Sequence, residues 1–175
     1  DGGSDLWLVR PDGSAEDLLL ACPGEACLNP AWGLTAGGEA GLVAYERRPL
    51  WASAPNLDPQ AGRLWLLDVV DGKTWPLFDY DVPLHSPAWS PSVRPEGTAG
   101  GERLAYASPT LPGIEVYDLA TEELFQVGNE WGSTPAWSAD GGSLALSELL
   151  LAGEAMVVHL FRMVPFALAA VRACA

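Results

Sequence analysis

Three cysteines are the side chains whose spacing most directly suggests chemistry. Cys22 and Cys27 flank Pro23-Gly24-Glu25-Ala26, and a Pro-Gly turn can bring two Cα atoms within disulfide range. We predict a disulfide bond between them, with two free thiols in a surface loop as the alternative. A disulfide indicates an oxidising compartment, so we expect export to the periplasm or the extracellular space. Cys174 is left over as a free thiol or a link to another chain.

The motifs of hydrolases and nucleotide-binding proteins are missing from the sequence. It has no Gly-x-Ser-x-Gly elbow, no phosphate-binding loop, no Gly-x-Gly-x-x-Gly and no EF-hand spacing. A zinc site needs four ligands, and no second Cys or His pair accompanies the two cysteines. His85, just before Ser86-Pro87, is expected to be a polar cap, and His159 a structural residue in an apolar strand. We therefore expect no catalytic residue, no metal and no cofactor.

The elements that would position a functional group repeat along the chain. The tripeptide Pro-Ala-Trp recurs about every 50 residues, a spacing typical of propellers and other repeat arrays. Its copies are Pro30-Ala31-Trp32, Pro87-Ala88-Trp89 and Pro135-Ala136-Trp137. Short apolar segments follow each copy, and polar turns separate them, as in antiparallel β-hairpins. The turns include Asp12-Gly13, Asp71-Gly72 and Asp140-Gly141.

Aligned on the tripeptide, the repeats contain up to four strand-like segments each. The second segments lie at 41–45, 103–106 and 143–146, the third at 6–10, 64–68, 114–118 and, more weakly, 156–160, and the fourth at 18–20, 75–78 and 124–127. Four antiparallel strands make one propeller blade. We therefore predict an all-β fold, a β-propeller of four-stranded antiparallel blades with about three and a half blades present. The tryptophans expected in the core between blades are Trp7, Trp32, Trp65, Trp89 and Trp137.

The segments after Pro-Ala-Trp resemble the WD40-like repeat of the TolB propeller family. In that family a proline, an apolar residue and Trp-Ser-Pro-Asp-Gly precede a Leu-Ala-Tyr or Leu-Ala-Phe strand. Ser138-Ala139-Asp140-Gly141 keeps most of this pattern, Ser90-Pro91 keeps half of it before a longer insertion, and Trp32-Gly33-Leu34 has lost it. The resemblance covers roughly residues 5–160. It implies a propeller but leaves the ligand open, since relatives serve as periplasmic scaffolds and as gating domains of peptidases.

The blade count divides the chain into a repeat array and a different C-terminal segment. We expect a single domain of WD40-like blades at 1–161 and an atypical segment at 162–175. Pro165 opens either a short helix or an irregular final strand. A closed propeller typically has about four to eight blades. We therefore interpret the chain as a fragment of a longer parent chain; a homo-oligomer that closes a ring and an end that packs differently are the alternatives.

In a propeller, the loops between second and third strands and the loops between blades emerge on one common face. Here these loops span 46–62, 108–113, 147–154, 22–29, 79–86 and 128–134. Aromatic residues interleaved with polar groups suit a partner or sugar surface. The candidate binding residues are Arg47, Arg48, Trp51, Asp79, Tyr80, Asp81, His85, Asn129, Glu130 and Trp131. Packing under their own loops is the alternative for Trp51 and Trp131.

Charge and hydropathy narrow the classes of partner. The net charge of −14 argues against nucleic acid and anionic membrane surfaces, because both select basic faces. No apolar run approaches the roughly 18 residues of a membrane span. We expect a non-catalytic scaffold for protein–protein interaction in the bacterial cell envelope or the extracellular space. A propeller belonging to a prolyl-oligopeptidase-like peptidase and a glycan-binding propeller are the alternatives.

Overall fold

The regular secondary structure of the described residues consists of β-strands. The computed structural model describes residues 3–34, 40–50, 62–91, 103–128, 131–152 and 155–165. The strands are β1 Leu6–Val9, β2 Glu16–Leu20, β3 Glu25–Leu34, β4 Ala40–Pro49, β5 Arg63–Asp68, β6 Thr74–Pro76, β7 His85–Trp89, β8 Arg103–Ala107, β9 Ile114–Asp118, β10 Glu123–Val127, β11 Trp131–Trp137, β12 Ser143–Ala152 and β13 Ala155–Pro165. The prediction of an all-β fold is confirmed. In the described ranges, no helix is long and apolar enough to cross a bilayer.

The strands form four antiparallel sheets that follow one another along the chain. β1 pairs with β2, β3 to β6 form a four-stranded sheet, β7 to β10 form another, and β11 to β13 form a three-stranded sheet. Within each sheet, every strand pairs with its neighbour in sequence. The sheets are therefore meanders, and their strands match the segments predicted from the repeat.

The repeated Asp-Gly pairs form hairpin turns, as predicted. The carboxylate of Asp12 accepts a hydrogen bond from the backbone N–H two residues further on, at 2.9 Å, and Asp71 and Asp140 do the same. The glycine after each aspartate has a φ between 67° and 71°, which a residue without Cβ adopts without strain. We call the end of the sheets that carries these turns the turn end. The opposite end, where β3, β7 and β11 begin, is the loop end.

Successive sheets pack face to face and bury three apolar clusters between them. In chain order, the clusters contain Leu6, Val43 and Tyr45, then Ala44, Leu104 and Tyr106, then Val116, Leu144 and Leu146. Alternating residues of β4 serve two different clusters, because successive side chains of a strand point to opposite faces. Each four-stranded sheet is therefore buried on both faces, with β3 and β11 both lying beside β7.

The tryptophans of the repeat differ in how well they are covered. Trp89 is half-buried, and a Cβ added to Gly33 of the preceding sheet would stand 2.7 Å from its ring. Trp65 and Trp137 are half-buried as well. The prediction that Trp7 and Trp32 lie in the core is wrong, since they are 56% and 44% exposed. Trp89 and Trp137 each contact the first strand of the preceding sheet, and no described strand takes that place for Trp7 and Trp32.

The segment between β2 and β3 carries the predicted cysteine pair. Cys22 and Cys27 lie at disulfide-bonding distance, with their Cα atoms 6.2 Å apart. Both side chains are buried in the cluster between the β1–β2 sheet and the next sheet. The N–H of Cys22 donates to Asp5 Oδ1 at 2.7 Å, and the N–H of Cys27 donates to the Ser4 carbonyl at 2.8 Å. The pair therefore joins the N-terminal sheet to β3.

The C-terminal segment continues the last sheet. The sequence allows a helix or a strand for residues 162–175, and the structure extends β13 as a strand, paired with β12, up to Pro165. The rest of that segment lies outside the described residues. The final sheet therefore contains three described strands where the preceding two sheets contain four.

Candidate functional site

A strained β-bulge stands directly before each Pro-Ala-Trp sequence. The pairing of β3, β7 and β11 with the following strand shifts register at this point. The residue before the proline has a positive φ in every copy, 49° at Asn29, 55° at Ser86 and 48° at Thr134. This left-handed conformation costs a residue other than glycine on the order of 1–3 kcal/mol. Strain that recurs at equivalent positions marks them as a candidate functional feature.

The three bulges surround one cavity at the loop end. It has a volume of about 350 Å³ and is lined by Asn29, Pro30, Ser86, Pro87, Thr134 and Pro135. The bulges meet because β7 lies between β3 and β11. Each strand contributes the same pair, a small polar residue and a proline. The cavity rim therefore consists of hydroxyl and amide groups alternating with apolar pyrrolidine rings.

Glu46 of β4 binds two of these bulges and is fully buried, with 0% exposure. Its Oε1 accepts hydrogen bonds from Asn29 Nδ2 at 2.6 Å and from the Ser86 backbone N–H at 2.7 Å. Its Oε2 accepts a hydrogen bond from Arg48 Nη2 at 2.5 Å. Three donors offset the cost of removing a carboxylate from water. Glu46 thereby connects β3 with β7.

Ser86 has a second polar partner in the preceding residue. Its Oγ lies 3.0 Å from His85 Nδ1. Burial lowers the pKa of His85, and the nearby Arg48 charge acts in the same direction, while the Glu46 charge opposes both. Because the ordinary pKa of histidine is about 6.5, the ring is neutral at pH 7. A neutral imidazole that holds a serine hydroxyl suits the polar-cap role expected for His85.

Thr134 is held from the neighbouring strand β12. Its Oγ1 lies 2.8 Å from Ser147 Oγ. Ser147 Oγ also lies 2.8 Å from Ser133 Oγ and donates to the Ser133 carbonyl at 3.0 Å. The polar side chain on each of the three bulges therefore has a partner that fixes its orientation.

Three of the predicted charged residues form ion pairs at the loop end, and two of these pairs are partly or largely exposed. Arg47 pairs with Glu25 and lies over the ring of Trp65, 4.3 Å from its centroid. Asp81 pairs with Arg63. Exposed ion pairs of this kind typically contribute only about 0–1 kcal/mol. Arg47 and Asp81 are thus paired with opposite charges of the same chain, and Arg48 is paired with Glu46.

Two exposed aromatic rings also lie at the loop end. Tyr80 is 60% exposed and stacks on Phe78, with 5.2 Å between the ring centroids. Trp131 begins β11 and is 45% exposed, so it does not pack fully under its own loop. Asp79, between Phe78 and Tyr80, is exposed as well. Rigid aromatic rings with a polar neighbour are typical anchors of protein interfaces.

The structure brings some of the predicted binding residues together and separates others. Arg48 and His85 meet around Glu46, next to the cavity. The other described candidates lie at the loop end as well, in strands or in the connections between sheets: Arg47, Asp79, Tyr80, Asp81 and Trp131. Three predictions, Trp51, Asn129 and Glu130, lie outside the described residues.

Sequence reasoning missed the residues that line the cavity. A signal for them was present, because the residue before each Pro-Ala-Trp copy is small and polar: Asn29, Ser86 and Thr134. Proline in the same copies also interrupts the strand pairing, since it lacks the N–H that an ordinary strand residue donates. The repeated pair of a polar residue and a proline therefore predicts the rim.

The chemistry available at this site is hydrogen bonding around an apolar wall. In the described part of the chain, no three His, Cys, Asp or Glu side chains come together as metal ligands.

A scan against protein-family models found no match for this chain, and a search of curated proteins found none either. The site's function is therefore inferred from its own residues.

Proposed function

We propose that this chain forms part of a β-propeller and serves as a non-catalytic scaffold that binds a protein partner. Meander sheets that pack face to face, with their first strands adjacent, support the propeller. The pair β1–β2 then corresponds to the two outer strands of a blade, and β3–β6 and β7–β10 to complete blades. Within this arrangement the loop end is the binding face.

The observation that carries this proposal is the convergence of three strained bulges on one cavity. Asn29, Ser86 and Thr134 adopt a costly conformation at equivalent positions and line the same space. Packing alone does not require that cost, since an ordinary strand residue forms the same sheet without it. The exposed rings of Tyr80 and Trp131 at the same end supply anchors for a partner.

One further feature supports a location outside the cytoplasm, and another concerns the class of partner. Cys22 and Cys27 are at disulfide-bonding distance, and structural disulfides persist in oxidising compartments. The net charge of −14 keeps the surface soluble and favours partners with basic surfaces. We therefore place the scaffold in the cell envelope or the extracellular space.

Affinity capture with matched variants tests the binding face. The chain is immobilised, incubated with envelope and culture-medium proteins, and the bound proteins are identified by mass spectrometry. We expect a specific partner to be retained by the wild type and lost from the Tyr80→Ala and Trp131→Ala variants. The control is Leu124→Ala, which removes an apolar side chain of similar exposure at the turn end.

The results separate the proposed function from its competitors. Capture that survives both loop-end substitutions but fails in Leu124→Ala contradicts the assignment of the binding face. Capture of glycoproteins only, abolished by enzymatic removal of their glycans, indicates a sugar ligand instead. Circular dichroism of each variant confirms that loss of capture does not come from unfolding.

A further inference from the structure

The hydrogen-bonding direction of Asn29 follows from its partner. Its Nδ2 donates to Glu46 Oε1 at 2.6 Å, so the amide oxygen Oδ1 lies on the opposite side of the side chain. None of the described residues donates to this oxygen. An amide oxygen accepts up to two hydrogen bonds. Because Asn29 lines the cavity, its Oδ1 is an acceptor available to a ligand there.

Thr134 offers an acceptor for a related reason. A serine hydroxyl has one proton, and Ser147 Oγ has both the Ser133 carbonyl at 3.0 Å and Thr134 Oγ1 at 2.8 Å within reach of it. Either hydroxyl can therefore donate in the contact between Ser147 and Thr134. A hydroxyl oxygen has two lone pairs, so Thr134 Oγ1 keeps at least one of them for the cavity in both cases.

Four residues of the same rim offer no free backbone donor. Pro30, Pro87 and Pro135 have no backbone N–H. The backbone N–H of Ser86 is already bound to Glu46 at 2.7 Å. These four residues therefore contribute no free backbone donor to the described rim, and the exposed ring of Pro30 forms part of its apolar surface.

We propose that this cavity binds a primary alkylammonium group, the group that ends a lysine side chain. An ammonium has three donors and no acceptor, which complements Asn29 Oδ1 and Thr134 Oγ1. Its alkyl stem packs against the exposed ring of Pro30. A volume of about 350 Å³ is at the lower end of ligand pockets, which span roughly 300–1,000 Å³, and suits one side chain.

The charge of the molecule favours the same class of ligand. The chain has 23 acidic and 9 basic residues, so a cation is attracted to it over a distance. Two basic side chains described beside Glu46 do not oppose this, because Arg48 is neutralised by Glu46 and His85 is neutral at pH 7. In so far as the lysine belongs to a partner protein, this inference rests on the proposed scaffold function.

Binding of short peptides to the isotopically labelled chain tests the inference. The probe is acetyl-Ala-Lys-Ala-amide, and its control is the same peptide with norleucine, which keeps the alkyl stem and lacks the ammonium. We expect the lysine peptide to shift the NMR signals of Asn29, Ser86 and Thr134. The norleucine peptide should bind about tenfold more weakly, since it loses hydrogen bonds of a charged group. Equal binding of the two peptides, or no binding of either, overturns the proposal.

Variants of the cavity rim show whether the acceptor atoms matter. Thr134→Val removes the hydroxyl with little change of shape, and we expect it to weaken the lysine peptide about tenfold. Thr134→Ser keeps the hydroxyl and should bind like the wild type. Thr121→Val, at an exposed turn-end threonine, is the control for a general effect of losing a hydroxyl. Unchanged affinity in Thr134→Val overturns the proposal.

Two further arms identify the source of the ammonium and keep this inference separate from the proposed function. Free n-butylammonium that binds as tightly as the peptide supports the cavity assignment and points to a small amine as the ligand. A clear preference for the peptide supports a lysine of a partner protein. A third outcome is that the lysine peptide shows no binding while a partner protein is still captured in a way that depends on Tyr80 and Trp131. In that case the ammonium site is overturned and the scaffold function stands.

Discussion

The indole of Trp137 is bonded to Ala88 of the preceding sheet. Its Nε1 donates a hydrogen bond to the Ala88 carbonyl oxygen at 3.0 Å. Ala88 is the central residue of one Pro-Ala-Trp copy, and Trp137 is the last residue of the next copy. The repeated tripeptide therefore connects β11 with β7 directly, in addition to the apolar cluster against which the Trp137 ring packs.

We expect Trp137→Phe to destabilise the fold by roughly 1–3 kcal/mol. Phenylalanine keeps much of the apolar surface, but it removes the donor to the Ala88 carbonyl and leaves a space beside the cluster. Urea unfolding followed by circular dichroism measures this loss. Trp75→Phe, on the three-residue strand β6, is the control for an exposed tryptophan and should change the free energy of unfolding by less than about 0.5 kcal/mol. Equal effects at the two positions contradict the assigned role of Trp137.

We predict that Cys22 and Cys27 are oxidised to a disulfide in the folded protein and that Cys22→Ser lowers stability by about 2 kcal/mol. So short a loop loses little chain entropy on closure, which limits the gain from the bond. Mass spectrometry after alkylation of the unreduced protein detects the bond directly. Two alkylated thiols at these positions contradict the prediction and remove one support for export.

The strands could be predicted from the sequence because local signals define them. Asp12-Gly13 and the equivalent turns require a glycine at positive φ, and this divides the chain into hairpins before any long-range contact is considered. The exposure of Trp7 and Trp32 could not be predicted in this way. Whether a tryptophan is buried depends on the sheet that covers it, and a single strand carries no information about that neighbour.

The candidate site could be predicted only in part for a similar reason. The polar residue before each proline repeats and is visible in the sequence, whereas Glu46 does not repeat. In the pairing register, Ala107 and Ser147 take its place on the next two sheets. A buried carboxylate that appears in one repeat has no periodic signal, and its role follows from the partners that the fold brings to it.

We expect Glu46→Ala to destabilise the fold by about 3–5 kcal/mol. The substitution leaves Arg48 as a buried charge without its partner and removes the acceptor of Asn29 Nδ2 and of the Ser86 N–H. Urea unfolding at pH 7 measures the change. Glu122→Ala at the turn end, where the side chain is exposed, should have an effect of less than about 0.5 kcal/mol.

A double variant separates the charge from the packing at this position. Glu46→Leu combined with Arg48→Met replaces both members of the ion pair by apolar side chains of similar size. We expect it to be less destabilising than Glu46→Ala by about 2 kcal/mol or more, because no buried charge is left unpaired. Both variants lose the hydrogen bonds between Glu46 and the bulges, so a double variant that is no more stable than Glu46→Ala contradicts the role given to the unpaired Arg48 charge.

The ion pair between Arg103 and Asp118 makes the fold sensitive to acid. The two side chains are about equally buried, 10% and 11% exposed, with 2.9 Å between Arg103 Nε and Asp118 Oδ2. Burial by itself raises the pKa of Asp118, but the Arg103 hydrogen bond and charge, with the N–H groups of Thr121 and Ala120, outweigh it and lower the pKa. The folded state then holds this carboxylate ionised at a lower pH than the unfolded state does. The contribution of Asp118 to the free energy of unfolding is therefore complete above the pKa of an aspartate in the unfolded chain, about 3.9. It is lost as the pH falls through the lower pKa that Asp118 has in the folded state.

We predict that Asp118→Asn destabilises the fold at pH 7 and flattens the dependence of stability on pH below about pH 4. Urea unfolding at neutral and acidic pH, on the wild type and the variant, measures both effects. Hydrogen bonds within their turns also lower the pKa values of Asp12, Asp71 and Asp140. The Asp118→Asn variant therefore keeps part of the acid sensitivity of the wild type. The difference between the two curves isolates Asp118. A constant difference from neutral to acidic pH contradicts the prediction, since a carboxylate with a lowered pKa must lose its contribution as it is protonated.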